Sequence, residues 1–394
     1  MLKDFNYCVH TQFIFGKDAE KRVGTEIAKF GAKKVLIHHD SGKFLYDTGL
    51  LDNIKQYLTD AGVGYVELGG VKPNPRLSLV REGVELCRKE GVDFVLAIGG
   101  GSSIDSAKGI AAGTLYDGDP WDFYSKCPVE KSLPVGVILT YPATGSESGP
   151  NSVICNDDDP DHKKKRSMRT TDLTRPWLTF MNPELTYTLP PYLTACGVCD
   201  MYAHVVERFF TPDPGYGIMD RFEVAAFKTL LEYGPRTLAD PANYENRAEL
   251  MWIGTIAHNN TVGLGRVQDW ASHAMGHEIG GLYDTAHGAT LTIIIPAWMK
   301  YVYKNNIERF CKYAIDVFGV EDGHDREAIA LKGIELTKDF FRRMNMPLSF
   351  KDANIPTDQL EYMAESATAA NGTVGNFKKL AKEDVLAIYK LAAE

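Results

Sequence analysis

Three of the ten histidines lie close together in the segment HAMGHEIGGLYDTAHG, which begins at His273. His273 and His277 are four residues apart, so on a helix they would share one face. His287 comes fourteen residues after His273. On an unbroken helix that is about 21 Å, which is too far for one metal ion. The adjacent Gly280 and Gly281 offer a break at which the helix can end and the chain can turn back. With that turn, the spacing allows a site built from imidazole nitrogens.

A second pair of candidate ligands lies upstream, in the segment CDMYAHVVE. Asp200 and His204 are also four residues apart, so on a helix their side chains would project from the same face. One carboxylate with two or three imidazoles, and no thiolate, is a donor set that suits Zn²⁺ or Fe²⁺. The competing interpretation is that each histidine only packs in a core or caps a helix. Spacing alone leaves both interpretations open.

A glycine-rich loop lies in AIGGGSSIDSAKGIA, residues 97–111, between a predicted strand and a predicted helix. Consecutive glycines let the backbone turn sharply and approach a ligand closely. The first amides of a helix lack internal partners, so they favour an anion such as a pyrophosphate. The spacing is not G-x-G-x-x-G and no Walker lysine follows, so a purely structural turn is the alternative. The candidate pyrophosphate-binding residues are Gly99, Gly100, Gly101, Ser102 and Asp105.

A dinucleotide also needs its ribose held, usually by an acidic residue at a strand end that bonds the 2′-hydroxyl. Asp40 ends the apolar segment KVLIHHD, and its charge would repel a 2′-phosphate, which favours NAD over NADP. Ser41 and Lys43 nearby would act in the opposite sense, and Asp40 would equally serve as a helix cap. Thr140 and Thr144, in LTYPATGSES, leave a fourth predicted strand at the same edge of the sheet. Their hydroxyls are candidates to bond the cofactor.

The elements that must position these residues differ between the two halves of the chain. Short apolar segments at residues 34–40, 63–68 and 92–100, and another from residue 133, alternate with segments of helical periodicity. Strands that alternate with helices indicate βαβ units and a parallel sheet. The first half of the chain is therefore predicted to be an α/β domain.

After about residue 185 the pattern becomes helical, in segments such as YLTACGVCDMYAHVVERFF and REAIALKGIELTKDFFRRMN. Prolines and threonines interrupt the pattern in MNPELTYTLPPYLT, which marks the predicted boundary. A chain of 394 residues also exceeds one ordinary core. We therefore predict an α/β domain over residues 1–185 and an all-α domain over residues 186–394.

Composition and charge narrow the class of protein. Hydrophobic residues make up 44% of the chain and charged residues 24%, as in soluble globular proteins. No run of about 18 apolar residues occurs, so no membrane span is predicted. The net charge of −9 argues against nucleic-acid binding, which depends on a basic surface. The one basic run, HKKKRSMR, is either a solvated loop or a phosphate contact. The N-terminal segment lacks the basic start and apolar block of a signal peptide, so we expect a cytoplasmic protein.

Seven cysteines are scattered along the chain, and an odd number in such a chain indicates thiols rather than a disulfide framework. Cys196 and Cys199 have the C-x-x-C spacing. A zinc ribbon would need a second such pair, which the sequence lacks. The remaining alternatives are a redox motif and ordinary packing as small apolar side chains, and we expect the packing.

Several of these segments together resemble the iron-containing, or group III, alcohol dehydrogenase family. GGGSSIDSAK, DMYAH and HAMGHEIGGLYDTAHG match its motifs in the family's order, and the similarity runs along essentially the whole chain. VKPNPRLS, LTYPATGSES, LTYTLPP, LMW and QDWASHAMGHE look most like its butanol dehydrogenase branch of NAD(P)H-dependent aldehyde reductases. The resemblance implies a Rossmann-like dinucleotide-binding domain over residues 1–185 and a helical metal- and substrate-binding domain over residues 186–394. It also implies an active site in the cleft and a homodimer or larger assembly.

The resemblance further implies roles for individual residues. It gives His277 a position beside the metal, with a substrate or proton-relay role. It places the glycine-rich loop on the pyrophosphate and makes Thr140 and Thr144 part of the cofactor lining. The implied metal ligands are Asp200, His204, His273 and His287.

This chain departs from the butanol dehydrogenase branch at the cofactor. That branch often has a glycine-rich turn after the first strand, where this chain has HHDSGKF. Asp40 is closer to the NAD-using relatives, so the expected cofactor is NAD or NADP with a preference for NAD. Members of the family differ between iron and zinc, so the expected metal is one Fe²⁺ or Zn²⁺ ion.

The implied reaction is hydride transfer between NAD(P)(H) and small to medium primary alcohols or aldehydes, such as butanol and butanal. A glycerol-dehydrogenase-like polyol oxidoreductase is the nearest alternative, and the long QDWASHAMGHE match speaks against it. A dehydroquinate-synthase-like lyase shares the general architecture. It needs basic groups for a phosphorylated substrate, and the segment around Asp200 lacks lysine. A non-catalytic sensor would be expected to have lost ligands, whereas all four positions are filled.

Overall fold

The computed structural model describes residues 3–158, 164–168, 172–213 and 217–394. These residues form two units, which we call the sheet unit and the helical unit. The sheet unit consists of Cys8–Leu189 and Pro241–Thr255. The helical unit consists of Met1–Tyr7, Pro190–Asp240 and Ile256–Glu394.

Most of the strands belong to one parallel sheet. Those in the described residues are β1 (Gln12–Phe15), β2 (Lys34–His39), β3 (Gly64–Leu68), β4 (Phe94–Gly100), β5 (Val135–Tyr141), β6 (Val153–Asn156), β7 (Lys164–Ser167) and β8 (Leu178–Met181). Six strands form the parallel sheet in the order β1-β8-β5-β4-β2-β3, and β6 pairs with β7 as an antiparallel hairpin. The four predicted strands are confirmed as β2 to β5. The other four were not predicted.

The helices dominate the second half of the chain. They are α1 (Val23–Phe30), α2 (Lys43–Asp47), α3 (Leu50–Asp60), α4 (Leu77–Glu90), α5 (Gly101–Thr114), α6 (Asp122–Ser125), α7 (Pro191–Phe209), α8 (Ile218–Ala239), α9 (Tyr244–His258), α10 (Ala271–Tyr283), α11 (His287–Val302), α12 (Ile307–Phe318), α13 (Arg326–Arg343), α14 (Leu360–Thr368) and α15 (Lys382–Ala393). Among the residues described after 186 no strand occurs, so the predicted all-α second half is confirmed. None of the helices in the described ranges is long and apolar enough to cross a membrane.

Helices cover both faces of the parallel sheet, which explains why its strands read as nearly continuous apolar runs. On β2, Val35 and Ile37 belong to a buried cluster that includes side chains of α1 and α3. Leu36 points the other way, into a cluster with side chains of α4 and α5. Alternate residues of one strand thus support the two layers of helices.

The strand order reverses between β2 and β4. From β2 the chain passes outward to β3, returns to β4 on the other side of β2, and continues outward to β5. In open α/β sheets, ligands bind outside the carboxyl ends of the strands at such a switch point. Asp40 follows β2, Gly99 and Gly100 end β4, and Gly101 begins α5, so Asp40 and the glycine-rich loop both lie at this point.

α7 and α11 are the buried helices at the centre of the helical unit. Every residue of α7 from Thr194 to Phe209 is buried, as is every residue of α11 from Gly288 to Met299. Helices that are covered on all sides belong to a core. The two helices meet at their backbones, because a Cβ atom added to Gly288 would lie 2.1 Å from the carbonyl oxygen of Cys196.

The predicted break at the glycine pair is wrong. Gly280 and Gly281 are buried inside α10, which continues to Tyr283. The helix ends instead at Asp284, whose φ of 52° is left-handed, and α11 then begins at His287. A left-handed residue directly after the last helical turn is a common way to end a helix.

The basic run HKKKRSMR is only partly described. Residues 164–167 form β7, and the Nζ atom of Lys165 donates to Asn74 Oδ1 at 2.9 Å. This part of the run is a strand rather than a loop. Residues 162, 163 and 169 lie outside the described residues.

Candidate active site

α7 presents a carboxylate and an imidazole on one face. The helix begins at Pro191, a first helical position that suits proline because its missing N–H would have no helical partner. The spacing of four residues then aligns Asp200 with His204, both of which are buried. His204 Nε2 lies 3.7 Å from Asp200 Oδ1.

Two further helices bring their histidines to the same carboxylate oxygen. His273 Nε2, in the first turn of α10, lies 3.8 Å from Asp200 Oδ1. His287 Nε2, at the start of α11, lies 3.6 Å from it. The ligand atoms of Asp200, His204 and His273 are all within 4.8 Å of one another. Donors at about 2.1 Å from a tetrahedral ion lie about 3.4 Å apart, so this group needs only a small contraction to hold one ion.

The polar atoms at the centre of the group also fit a cation. Asp200 Oδ1 and His273 Nε2 are buried, and neither has a hydrogen-bond partner among the described residues. A buried polar atom without a partner costs on the order of 1–3 kcal/mol, and a bound cation would remove that cost for both atoms. Oxygen and nitrogen donors without sulfur suit Fe²⁺ or Zn²⁺. The donor set therefore fits the expected metal.

The electrostatics of the two central imidazoles differ. Burial lowers the pKa of His204 well below its usual value, and the nearby His258 and His273 lower it further. Burial acts in the same direction on His273, but the carboxylates of Asp200 and Glu207 outweigh it and raise the pKa of His273. An imidazole must be neutral to bind a metal, and His204 is held in that form.

Two more histidines border this group. The ring centroid of His277 lies 5.4 Å from that of His287 and 6.4 Å from that of His273. His277 therefore stands beside the four candidate ligands. The ring of His258, the last residue of α9, lies 4.4 Å from that of His204. His258 was not predicted, because it has no helical spacing to the other histidines.

The glycine-rich loop and the loop after β5 meet at the switch point of the sheet. Gly99 has a φ of 149°, which residues with side chains rarely adopt. A Cβ atom on Gly101 would lie 2.5 Å from the side chain of Thr144, so the loop passes directly against that residue. Ser102 follows in the first turn of α5. The backbone amides of this helix start form the expected setting for a pyrophosphate.

Asp105 is engaged within the protein. Its Oδ1 atom accepts from Ser146 Oγ at 2.5 Å, and its Oδ2 atom accepts from Val153 N at 2.9 Å. One turn later, the Nζ atom of the buried Lys108 lies 2.7–2.8 Å from four oxygens that can accept its three hydrogens. They are the carbonyl oxygens of Ser146, Gly149 and Asn151, and Ser146 Oγ. Burial lowers the pKa of Lys108 to about 8. These two side chains hold the loop that carries Thr144 against α5.

The other cofactor candidates lie at the same edge. Asp40 is exposed directly after β2, and its Oδ1 atom accepts from Gly42 N at 2.8 Å. Its other oxygen has no hydrogen bond in the described ranges, which leaves it available to a ribose. Thr140 lies near the end of β5, and Thr144 Oγ1 accepts from Ser146 N at 3.2 Å.

The C-x-x-C pair lies inside α7. Burial raises the pKa of the Cys196 thiol to about 12, and burial raises that of Cys199 well above its usual value. Redox-active cysteines instead have a depressed thiol pKa and some exposure. The expectation that these cysteines pack as small apolar side chains is confirmed.

Sequence reasoning also missed Glu207, which is fully buried on α7. Its Oε1 atom accepts from His273 N at 2.9 Å and lies 3.1 Å from His273 Nδ1. The signal available in the sequence was its place three residues after His204 on the same helix face. Nothing in the sequence shows that α10 starts against it.

Two family models match the chain. One is described as iron-containing alcohol dehydrogenase and matches residues 10–183. The other is described as the C-terminal part of the Fe-containing alcohol dehydrogenase family and matches residues 194–393. Together they include both the glycine-rich loop and the histidine group.

Named relatives are similar over most of the chain or nearly all of it. A probable NADH-dependent butanol dehydrogenase of Bacillus subtilis is 38% identical over 99% of both chains. The NADPH-dependent aldehyde reductase YqhD of Escherichia coli is 35% identical over 89% of both chains. The crystal structure of an NADH-dependent butanol dehydrogenase from Thermotoga maritima superposes with a TM-score of 0.95, at 36% identity, over 100% of this chain and 99% of that one.

Proposed function

Because this chain belongs to the iron-containing alcohol dehydrogenase family, we propose that it interconverts small to medium primary alcohols and aldehydes, with butanol and butanal as representative substrates. The enzyme is a nicotinamide-dependent alcohol or aldehyde oxidoreductase with a divalent metal. One observation carries the proposal. Three imidazole nitrogens from three helices lie within 3.6–3.8 Å of one buried carboxylate oxygen.

The proposed metal ligands are Asp200, His204, His273 and His287. Bound there, a divalent ion would polarise the carbonyl oxygen of an aldehyde and stabilise the negative charge that develops on it. Asp200 contributes a single negative charge and the imidazoles contribute none. The site would therefore keep a net positive charge to attract the carbonyl oxygen. Burial of Asp200 and His204 excludes water and strengthens that attraction.

We propose that His277 handles the proton of the reaction. A nicotinamide cofactor held by this chain would supply or take up the hydride. Reduction of an aldehyde also requires a proton for the product oxygen, and an imidazole nitrogen is suited to deliver one near neutral pH. Support comes from the position of the His277 ring, 5.4 Å from that of His287.

The cofactor is proposed to bind at the switch point of the sheet unit. Gly99, Gly100, Gly101 and Ser102 would hold the pyrophosphate with backbone amides of the α5 start. Thr140 and Thr144 would line the cofactor, with Asp105 supporting the loop that carries Thr144. Asp40 would bond the ribose, which favours NAD over NADP. We propose that the domain of residues 1–185 binds the cofactor and that the domain of residues 186–394 binds the metal and the substrate.

We also propose that the enzyme is a homodimer. β1 lies at an edge of the six-stranded sheet. Phe15 on β1 is 43% exposed, and its ring lies 6.2 Å from that of Trp252, which is 41% exposed. An apolar patch along an edge strand favours association with a second copy. Light scattering should show a dimer for the wild type and a monomer for Phe15→Lys. A dimeric Phe15→Lys variant would exclude this surface.

A cytoplasmic location is proposed as well. All seven cysteines are free thiols, and five of them are buried. Thiols persist in a reducing compartment, whereas an oxidising one favours disulfides. Localisation of a tagged protein in fractionated cells tests this.

The first experiment measures butanal-dependent oxidation of NADH and of NADPH on one preparation. The assay is repeated after chelation, and again after Fe²⁺ or Zn²⁺ is restored. We expect activity to disappear on chelation and to return with one of the two metals. The variant Asp200→Asn should lose metal and turnover together. Turnover that survives complete metal removal would contradict the proposal.

A further inference from the structure

Glu207 contacts the backbone and side chain of one proposed metal ligand. Its Oε1 atom accepts from His273 N at 2.9 Å and lies 3.1 Å from His273 Nδ1. Because a carboxylate oxygen only accepts, Nδ1 must carry the hydrogen. In the neutral ring, the other nitrogen, Nε2, then keeps its lone pair and faces Asp200 Oδ1 at 3.8 Å. Glu207 thereby selects the tautomer of His273 that can bind a metal.

Glu207 also fixes the start of α10. Its side-chain Oε2 atom accepts from Trp270 N at 2.7 Å, and its backbone carbonyl oxygen accepts from Asp269 N at 2.8 Å. The first amides of a helix have no helical partners, so a buried helix start needs acceptors from elsewhere. Glu207 provides them one turn after His204 on α7. It therefore sets where His273 stands relative to Asp200.

We propose that Glu207 is a positioning residue that orients His273 for metal binding. A carboxylate hydrogen-bonded to the far nitrogen of a ligating imidazole fixes the ring and makes it a better donor. This inference rests on the proposed function, because it takes His273 to be a ligand. It goes further by giving the buried Glu207 a role that does not involve contact with metal, cofactor or substrate.

The test compares two carboxylate-to-amide changes at the same helix start. Glu207→Gln weakens the acceptor behind His273. The matched control is Asp269→Asn, since Asp269 is equally buried and caps the same region without an imidazole partner. Asp269 Oδ1 accepts from Asn376 N and Phe377 N at 2.6 Å, and Oδ2 accepts from Ala271 N at 3.3 Å.

Metal affinity is measured by titrating the apo-enzyme with Co²⁺ and monitoring the visible absorption of the bound ion. The melting temperature of each apo-variant is measured as well. Glu207→Gln should raise the Co²⁺ dissociation constant about 10–100-fold and alter the absorption band. Asp269→Asn should lower the melting temperature but leave the dissociation constant and the band unchanged. Glu207→Asp keeps the charge on a shorter side chain and should give an intermediate affinity for Co²⁺. This variant replaces Glu207→Gln in the comparison if Glu207→Gln does not fold.

Three results would overturn the inference. Equal Co²⁺ affinity in the wild type and Glu207→Gln would show that the carboxylate does not act on His273. Equal weakening by Glu207→Gln and Asp269→Asn would show that the effect is only on the helix start. A wild type that binds no Co²⁺ would overturn the proposed metal site itself, and this inference with it.

Discussion

At the scale of single residues, the proposed site separates metal binding from proton transfer. Asp200 supplies the one oxygen near which the Nε2 atoms of His204, His273 and His287 converge. The ring of His277 lies beside that of His287, 5.4 Å away between centroids. The two roles therefore reside in different side chains and respond differently to substitution.

The variant His277→Ala should keep its metal but turn over slowly. General acid–base groups contribute about 10²–10⁴-fold, so kcat should fall within that range while the bound metal remains stoichiometric. Steady-state kinetics and metal analysis of the same sample measure both quantities. His324→Ala, at an exposed position, is the control and should retain full kcat. Full activity in His277→Ala would exclude the proton-relay role.

The proposed role of Asp40 in cofactor preference can be tested by removing its charge. Asp40→Asn removes the charge but keeps the oxygen that accepts from Gly42 N. Loss of repulsion with a 2′-phosphate should tighten NADPH binding about tenfold, which corresponds to about 1.4 kcal/mol. NADPH fluorescence titration measures the dissociation constant. Asp47→Asn, at a nearby exposed carboxylate, should leave it unchanged. If Asp40→Asn and Asp47→Asn bind NADPH with the same dissociation constant, Asp40 does not contribute to cofactor preference.

At the scale of elements, the approach of helices to one another builds the site. Gly288 lets α11 pass against the backbone of α7 at Cys196, directly after His287. Any side chain at this position would push the two helices apart. The distance between His287 and Asp200 therefore depends on a residue that is itself no ligand.

The variant Gly288→Ala should lose metal affinity and stability together. Its Cβ atom would lie 2.1 Å from the Cys196 oxygen, and such overpacking costs about 1–3 kcal/mol or more. Metal titration and urea unfolding of the apo-protein measure the two effects. The control is Gly333→Ala. Gly333 lies on α13 against α12, and a Cβ atom there would lie 2.9 Å from the Cβ atom of Ala314. It should lower stability and leave metal affinity intact. Unchanged affinity in Gly288→Ala would contradict this account of the helix crossing.

The sheet unit contains a histidine that ties three elements together. His38, on β2, has Nδ1 2.8 Å from the Leu68 carbonyl at the end of β3 and Nε2 2.8 Å from Ser106 Oγ on α5. The carbonyl only accepts, so Nδ1 donates to it. In the neutral ring, Nε2 has no hydrogen and accepts from the serine hydroxyl. Both bonds are available to the neutral ring, and burial favours that form.

Acid should therefore weaken the sheet unit through His38. Burial lowers its pKa to about 4, whereas an unfolded histidine has a pKa near 6.5. Its stabilising contribution is complete above pH 6.5 and is lost as the pH falls toward 4, by about 2–3 kcal/mol at pH 4.5. Urea unfolding at pH 7 and pH 4.5 measures the loss. His38→Gln should lose that much less between the two pH values, and equal losses would contradict the assignment.

At the scale of the whole molecule, metal binding is coupled to folding. The four proposed ligands come from three helices of the helical unit, so an unfolded chain cannot hold them together. A ligand that binds only the folded state stabilises it in proportion to the logarithm of its concentration. Metal removal should therefore cost stability as well as activity.

Calorimetry of the apo-enzyme should show this coupling. Metal at about 100 times its dissociation constant adds about 2.7 kcal/mol, which raises the melting temperature by roughly 5–10 °C for a unit of this size. His204→Ala should lack most of the increase, while His324→Ala should show it in full. An equal increase in His204→Ala would mean that the metal stabilises the protein somewhere else.

The sequence by itself determined the features that depend on local spacing. Helical periodicity places Asp200 with His204 and His273 with His277, because residues four apart share a helix face. Apolar strands between helices predict the parallel sheet, and Asp40 and the glycine-rich loop lie at the ends of such strands. The motif order indicates the family.

Tertiary structure decided what depends on contacts between distant segments. The turn between His273 and His287 is made at Asp284 rather than at the glycine pair, since α10 is buried through both glycines. Glu207 meets His273 from 66 residues away, which no spacing rule encodes. The edge strand β1 and its neighbour β8 are four residues each, too short for a pattern to show. They are defined by their pairing, β1 with β8 and β8 with β5. Periodicity is a property of one element, whereas a site is made where several elements pack.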